Sequence, residues 1–369
     1  MNKKILITGG CGFIGRHLTE ELLENGYDVR VLDGLIEQVH GADAPERDSR
    51  VEYVFADIRD RDALRAALRG IDQVVHLAAE VGVGQSMYEI ARYVGANELG
   101  TAVLLEELID LPVERIVVAS SMSVYGEGLY RNAEDELQRA VRRIPRAMGP
   151  GRWDPTDADG RRLEPVWTDE QKPVDIASIY ALTKYCQEKA VLIFAQAYAR
   201  QAVALRLFNV FGPGQALSNP YTGVLANFSS RLANGQRPMI FEDGEQRRDF
   251  VHVRDVARAF RLALEQPQAD GHVINIGSGR SYTIAAVARL LADVMGVPQL
   301  EPEILETARS GDIRHCFADI SKAGELLGFQ PRFLLENSLG EFAEWVSRSR
   351  AVDKGAEMRR NLETRGLVT

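Results

Sequence analysis

The segment Tyr180-Ala181-Leu182-Thr183-Lys184 sets a phenol and an ammonium four positions apart. On a helix that spacing is one turn, so both side chains project from one face. A phenol titrates at about 10 in water, too high for a general base at neutral pH. A neighbouring ammonium, and any positively charged ring bound beside it, favours the phenolate and brings that value down. Tyr and Lys at this spacing are common on helices as a core ring and a solvated cation. Here a second feature adds weight: Ser120-Ser121-Met122-Ser123-Val124-Tyr125-Gly126 brings hydroxyls to the end of an apolar run. A tunable phenol, a cation and a hydroxyl donor together suit general acid–base catalysis.

A second constellation is Thr8-Gly9-Gly10-Cys11-Gly12-Phe13-Ile14-Gly15, between an apolar run and an amphipathic one. Its glycines permit a tight turn, close backbone approach to a pyrophosphate and close helix–strand packing, and the following helix offers free N–H groups. A glycine pattern alone often marks only a turn; the strand before and the helix after give it meaning. Gly9, Gly12, Phe13, Ile14 and Gly15 are therefore candidate dinucleotide contacts. Asp33 ends the second strand, where a carboxylate accepts both ribose hydroxyls and repels a 2′-phosphate, which favours NAD over NADP. Asp57 and Ile58, closing the third strand, suit the adenine edge. Leu77, Ala78 and Ala79 supply small residues where a pyrophosphate must pass.

These groups need a scaffold that delivers them to one edge. Lys4 to Thr8, Asp28 to Asp33, Val51 to Ala56, Gln73 to Ala78, Ile116 to Ser120 and Ala202 to Phe208 read as strands. Gly15 to Asn25 and the stretches 60–69, 96–110 and 180–200 read as helices. Strands this apolar are covered on both faces. The expected fold is α/β, a Rossmann doubly wound parallel sheet over 1–208. A smaller C-terminal α/β substrate lobe over 209–350, partly interleaved with the sheet, and a charged tail over 351–369 complete it. The tail's first part has the composition of a surface helix. The polar stretch 127–172 breaks the rhythm and is expected as a long loop, functional or partly disordered.

The 369 residues carry a formal net charge of −9, which argues against nucleic acid or an anionic membrane as the main partner. Cys11, Cys186 and Cys316 lie far apart with no CxxC pair, giving neither a disulfide framework nor zinc spacing. A reducing, cytoplasmic setting and no metal are expected. No apolar run is long enough to span a membrane. His76, inside a strand pattern, reads as a satisfied core histidine.

Taken in order, these pieces resemble the extended short-chain dehydrogenase/reductase family, and within it the NAD-dependent nucleotide-sugar epimerase/dehydratase group. The likeness runs from Lys4 to about Trp345. It rests on TGGCGFIG, Asp33, HLAA (His76 to Ala79), SSMSVYG, YALTK, LRLFNVFGPG (Leu205 to Gly214) and RRDFVHVRDVA (Arg247 to Ala257). It implies that Ser121, Tyr180 and Lys184 form a catalytic triad and that Asn97 supports the cofactor side. On the substrate side it implies that Asn209 holds a nucleotide diphosphate and that Phe241 packs against the base. Arg248 and Arg309 would clamp the phosphates, Asp312 would accept a ribose hydroxyl, and Val83 and Val224 join the substrate set. Bidentate guanidinium groups suit that task. A homodimer through the helices at about 96–110 and 180–200 is implied as well.

The shared first step of such enzymes passes a sugar hydroxyl proton to Tyr180 while hydride leaves the same carbon for NAD. Sugar dehydratases carry acidic residues just after the hydroxyl residue, and decarboxylases a Glu in the same segment. Met122 and Ser123 stand there instead. Oxidation, rotation of the keto-sugar and hydride return, which is epimerisation at C4, is therefore the expected course. Net dehydrogenation, epimerisation at another carbon, dehydration and decarboxylation are the rival reactions, and a catalytically inactive NAD-binding sensor is the rival of another class. Cys316 falls where related epimerases limit substrate bulk, although a packing cysteine is equally compatible. The span from Tyr125 to Tyr180 is longer than in compact members, and the insertion is expected to cover the sugar pocket or add to a subunit contact. Some relatives hold such a segment with cysteine pairs; this chain has none, so no zinc is expected there.

Overall fold

The computed structural model describes residues 2–41, 47–143, 148–219, 221, 223–309, 311–349 and 352–368. The expected tail boundary at Ala351 and the Ser310 of the Arg309-to-Asp312 motif lie outside these residues. The strands β1 (Lys4–Thr8), β2 (Asp28–Asp33), β3 (Glu52–Phe55), β4 (Gln73–His76), β5 (Arg115–Ser121), β6 (Gln201–Leu207) and β7 (Val273–Ile276) make the central sheet. Their order is β7-β6-β5-β4-β1-β2-β3, parallel throughout. Strand order reverses between β1 and β4, which opens a crevice at their carboxyl ends.

The helices α1 (Phe13–Glu24), α2 (Arg61–Leu68), α3 (Gly100–Leu108) and α4 (Ile179–Ala197) cover the sheet. Alternation along β1 serves both layers: Ile5 and Ile7 join Leu18 and Leu22 of α1, while Leu6 joins Leu64, Leu104 and Val191. Caps set the helix starts. Asp60 accepts from the backbone N–H groups of Asp62 and Ala63 ahead of α2, and Ser178 accepts from Ala181 N ahead of α4. The helix expected over 96–110 starts earlier, with a turn at Ile90–Tyr93 and a π-helical stretch at Val94–Leu99. Such stretches recur at functional sites.

The sheet has one strand more than the sequence pattern suggested. β7 comes from the second half of the chain, and the helix Val253–Glu265 packs on the same face as α1. The second lobe is therefore threaded through the first. Its own core gathers Phe211, Phe228, Phe250, Ile284, Leu335 and Phe342. The stretch expected as a loop contains a small antiparallel sheet, with Leu129–Arg131 between Leu137–Gln138 and Glu164–Val166. Tyr130, Val141 and Leu163 bury its inner side. The tail forms the helix Gly355–Thr364, an amphipathic surface helix: Ala356, Glu357, Arg360 and Glu363 are exposed, while Met358 and Leu362 are buried on its inner face. Among the described residues no helix is long and apolar enough to cross a membrane.

Candidate active site

A cavity of about 1030 Å3 follows the carboxyl edge of the sheet and continues between the lobes. At its sheet end the chain turns at Gly9 with φ +72°. A Cβ there would sit 2.8 Å from the Ala78 backbone nitrogen, so only glycine fits both the conformation and the close approach. A Cβ on Gly15 would fall 2.5 Å from Gly10 Cα, which is what brings α1 down onto the loop. Gly12 caps α1 without a side chain, leaving the first helical N–H groups for an anion. Phe13 and Ile14 line the same wall.

Asp33 is buried and accepts from Cys11 N at 2.9 Å and Leu35 N at 2.8 Å, with His40 Nε2 at 3.3 Å. Burial works to raise its carboxyl, but the His40 contact and the backbone donors outweigh it and hold the group below the usual carboxylate value. The result is a fixed anion, suited to a ribose diol and hostile to a 2′-phosphate. Asp57 is engaged by Arg59 at 2.8 and 2.5 Å, and Ile58 is buried beside Gly100. Leu77, Ala78 and Ala79 line the cavity where the glycine loop meets β4. These residues together fit a dinucleotide with a free 2′-hydroxyl. Asn97, alone among the candidate cofactor contacts, lies off the cavity wall. Its amide accepts from Glu80 N at 2.7 Å and donates to Glu80 O and to Thr183 Oγ1, bracing the loop after β4 against α4.

The end of β5 and the start of α4 bring Ser121, Tyr180 and Lys184 into one buried corner. Ser123 donates to Ser121 Oγ from its hydroxyl at 2.9 Å and its amide at 3.2 Å. The Tyr180 ring meets Tyr93 edge-on, centroids 6.5 Å apart. Burial raises the Tyr180 phenol above its ordinary value, and the Ser121 hydroxyl acts to lower it. The expected depression by Lys184 is absent from this state, because the ammonium is turned to Gln187 Oε1 at 2.6 Å. Burial also brings Lys184 down to about 7, with Glu188 pulling the other way.

Gln187 is a residue that the sequence reading passed over. It stands on the Tyr180–Lys184 face of α4, so helical spacing would have found it. Its amide nitrogen reaches Thr101 Oγ1 at 2.9 Å. Thr101 donates to Asn97 O and so accepts from His76 Nε2 at 2.8 Å. His76 Nδ1 in turn accepts from Thr8 at 2.7 Å. One neutral tautomer satisfies this chain, and burial holds His76 near 3. The core reading of His76 thus acquires a purpose: it fixes the acceptor that receives Lys184. Behind it, buried Glu188 binds Ser120 at 2.7 Å and Arg206 at 2.7 and 2.9 Å, locking α4 to β5 and β6.

The substrate-side candidates converge at the other end, where Val83, Asn209, Val224, Phe241, Arg248, Arg309 and Asp312 all line the cavity. The Asn209 side-chain oxygen is buried without a partner, as are those of Gln215 and Gln246 on the same wall. Orphaned acceptors of this kind cost free energy unless a ligand supplies donors. Gln215 and Gln246 were not foreseen, and only their place on the wall reveals them. Arg309 is clasped by Asp312 at 2.8 and 3.0 Å. Arg248 donates to the backbone carbonyls of Arg247, Ile313 and Arg314. Neither guanidinium is free in this state. Cys316 is buried among Met122, Val124, Tyr125 and Phe208 and lies off the wall, with burial pushing its thiol up to about 12. It packs the core behind the pocket and does not limit the bulk of a ligand.

The insertion does not cover the pocket: none of its described residues lines the cavity. It is pinned instead beneath the substrate lobe by a buried ion network. Arg143 binds Glu127 at 2.8 Å, Glu242 at 2.6 Å and the Asp312 carbonyl at 2.9 Å. Arg314 binds Asp154 at 2.7 Å, Asp243 at 2.6 Å and Glu242 at 2.9 Å.

The carboxylates on the cavity wall, among the described residues, are Asp33, Asp57, Glu80 and Asp312. Glu80 is held by Arg92 at 2.8 and 2.9 Å. With Asp57 on Arg59 and Asp312 on Arg309, no unpaired carboxyl stands beside Tyr180.

Comparison with known proteins agrees with this layout. The chain is 36% identical over 353 residues to dTDP-L-rhamnose 4-epimerase of Burkholderia thailandensis, covering 94% of this chain and 95% of the relative. It superposes on UDP-glucose 4-epimerase of Thermotoga maritima, solved with UDP-glucose, with a TM-score of 0.73 at 32% identity over 94% of this chain and 99% of the other. The UDP-glucuronic acid 4-epimerase of Bacillus cereus, solved with UDP-glucuronic acid and NAD, gives 0.76 at 28% identity over 94% and 99%. Residues 5–144 and 158–277 match the model of one family across most of the sheet and the threaded lobe. The chain belongs to the NAD dependent epimerase/dehydratase family.

Proposed function

We propose that this protein is an NAD-dependent epimerase of a nucleoside diphosphate sugar, inverting C4 through a transient 4-keto sugar. The observation that carries the choice of reaction is the corner around Tyr180, where, among the described residues, the acid–base groups beside Ser121 are the phenol and the Lys184 ammonium, and each carboxylate on the cavity wall is already paired. Elimination of water needs a second acid–base pair, which Met122 and Ser123 do not supply.

The cofactor is NAD, and when bound it accepts a hydride from the sugar carbon and later returns it. The glycine loop, the α1 N-terminus and Asp33 would hold it. Lys184 would turn from Gln187 toward the cofactor ribose and the Tyr180 phenol, and its positive charge there favours the phenolate. Tyr180 takes the proton of the C4 hydroxyl as the carbonyl forms and gives it back when the hydroxyl is restored. Ser121 donates to the same oxygen. The proton stays on a buried phenol during the keto stage, out of reach of water. Asn209, Phe241, Arg248, Arg309 and Asp312 would hold the nucleoside diphosphate, so that only the sugar turns over between the two hydride transfers. Val83 and Val224 would bound the space in which it turns.

Two further readings belong to this proposal. Exposed Leu99, Leu182, Ile193 and Tyr198 on the helices flanking the sheet support a homodimer formed through that face. The cysteines, all unpaired in the structure, support a reducing cytoplasmic setting.

The test is incubation with UDP-, dTDP- and GDP-sugars in deuterated buffer followed by proton NMR. A C4 epimer without net NADH and without deuterium at C4 is expected. Stoichiometric NADH, or a 4-keto-6-deoxy product, would replace epimerisation with another reaction of the same site.

A further inference from the structure

The tail beyond the second lobe is the feature that the family motifs leave unexplained. Its helix Gly355–Thr364 is charged along the sequence, yet Met358 and Leu362 are buried and, with Leu367, form part of the cavity wall. The helix is secured at both ends. Asp353 accepts from Gly355 N at 2.8 Å and from Arg231 Nη1 at 3.1 Å, and Val352 N donates to Ser218 at 3.1 Å. At the far end Gly366, with φ +67°, reverses the chain and Leu367 N returns to Leu362 O at 2.9 Å. Val368 then makes an antiparallel bridge with Arg309.

The contacts reach both lobes. Arg365 lies over the Tyr88 ring at 4.3 Å, and Tyr88 shares a hydrogen bond of 2.5 Å with Tyr221 on the cavity wall. Leu362 packs so close to Gly84, in the turn after β4, that a Cβ there would sit 3.3 Å from Leu362 Cδ2. Gly355 lies beside Arg231 and Met239 of the second lobe. Every partner is on the substrate half, next to Val83, Met239 and Arg309. Among the described residues none is in the glycine loop or at Asp33.

Resting on the reading of the site as one for a nucleoside diphosphate sugar, we infer that the C-terminal segment 352–368 is the closing wall of the substrate half. Met358, Leu362 and Leu367 determine how tightly the nucleoside diphosphate end is held. The wall is apolar and faces the side of the cleft that Phe241 and Asn209 bound from the other lobe, so it removes water from the base and ribose without adding a polar contact. It bridges the two lobes, so its docking also fixes the spacing between Gly84 and Arg309.

The experiment uses the NAD-loaded enzyme in three forms: wild type, a chain ending at residue 350, and Leu362→Asp, which keeps the chain but drives the helix off. Binding of UDP, of dTDP and of GDP is measured by calorimetry, retained NAD by its absorbance after denaturation, and folding by thermal melting. Expected is a loss of nucleoside diphosphate affinity of about tenfold or more in both variants, with NAD content unchanged. KM for the sugar nucleotide rises and kcat stays near wild type; Leu362→Met restores affinity. Equal affinity in all three forms, or tighter binding after truncation, overturns the inference. If wild type itself binds none of UDP, dTDP and GDP, it is the reading of the site that has failed.

Discussion

Arg309 lies over Phe241, its guanidinium carbon 4.5 Å from the ring centroid, while Asp312 holds its nitrogens. The face on which a nucleobase would stack is therefore shared with a cation that a diphosphate would attract away. Binding must exchange one contact for the other. Phe241→Ala should weaken UDP or dTDP binding by about tenfold, in line with about 1–3 kcal/mol for a base on an aromatic ring. Phe241→Tyr should retain it. Titration calorimetry decides, and unchanged affinity for Phe241→Ala would remove the ring from the base site.

Tyr180→Phe removes the phenol proposed to take the sugar proton. Turnover should fall by about 10³-fold or more, with NAD content and melting temperature preserved. Residual activity within tenfold of wild type would place the proton acceptor elsewhere.

Lys184 gives a stability prediction with a definite sign. Burial lowers its ammonium to about 7 in the folded, cofactor-free protein, against about 10.4 in an unfolded chain. Between those values the unfolded chain binds more protons, so stability rises with pH across that window, and the burden is full below it. Lys184→Met should therefore raise the melting temperature of the NAD-free protein most at pH 6 to 7, with the gain shrinking toward pH 10. A gain independent of pH would show that the ammonium is not the cause.

Arg314 is fully buried between Asp154, Glu242 and Asp243. Its removal takes a partner from fully buried Glu242, a cost of about 3–5 kcal/mol for a broken buried pair, while Asp154 and Asp243 keep contact with water. Arg314→Ala should lower the denaturation midpoint accordingly, and Arg314→Lys should recover only part, since one ammonium cannot serve three carboxylates. For the same reason deletion of about 129–164 should destabilise the substrate lobe and cost substrate affinity, although the segment touches no ligand.

If the exposed Ile193 lies in a subunit contact, Ile193→Glu should yield a monomer on size exclusion with light scattering. A protein that is monomeric before the change would dispose of the dimer.

The glycine loop, Asp33 and the Tyr180–Lys184 pair could be read from sequence because each is a local rule: a turn needing glycine, a carboxylate ending a strand, a pair on one helical face. β7 escaped because Val273–Ile276 is a short run far from its neighbour β6, and nothing local tells a strand of the sheet from one of the lobe. The insertion was read as loop because its order comes from Arg143 and Arg314 reaching partners distant in sequence. Gln187 shares the helical face of Tyr180 and Lys184 and was within reach of the same rule, whereas Gln215 and Gln246 are ordinary amides until their surroundings are seen. The tail's charge and helical character could be read as well, but its place could not: Met358 and Leu362 on one side of a short helix decide where it lies.

The threading of β7 and the helix Val253–Glu265 into the first lobe has a consequence for how the molecule is made. Ile7 and Leu18, near the start of the chain, share a buried layer with Phe260, Ile274 and Phe329. While the ribosome is still building the second half, that layer is covered only in part, by α1, and the outer edge of β6 has no neighbour. The nascent chain must carry exposed apolar sheet until Val253–Glu265 and Val273–Ile276 have been made. A fragment ending at residue 208 would be trapped in that condition, prone to aggregation and dependent on chaperones. For this protein, assembly of the cofactor half waits for residues 253–329 to be made.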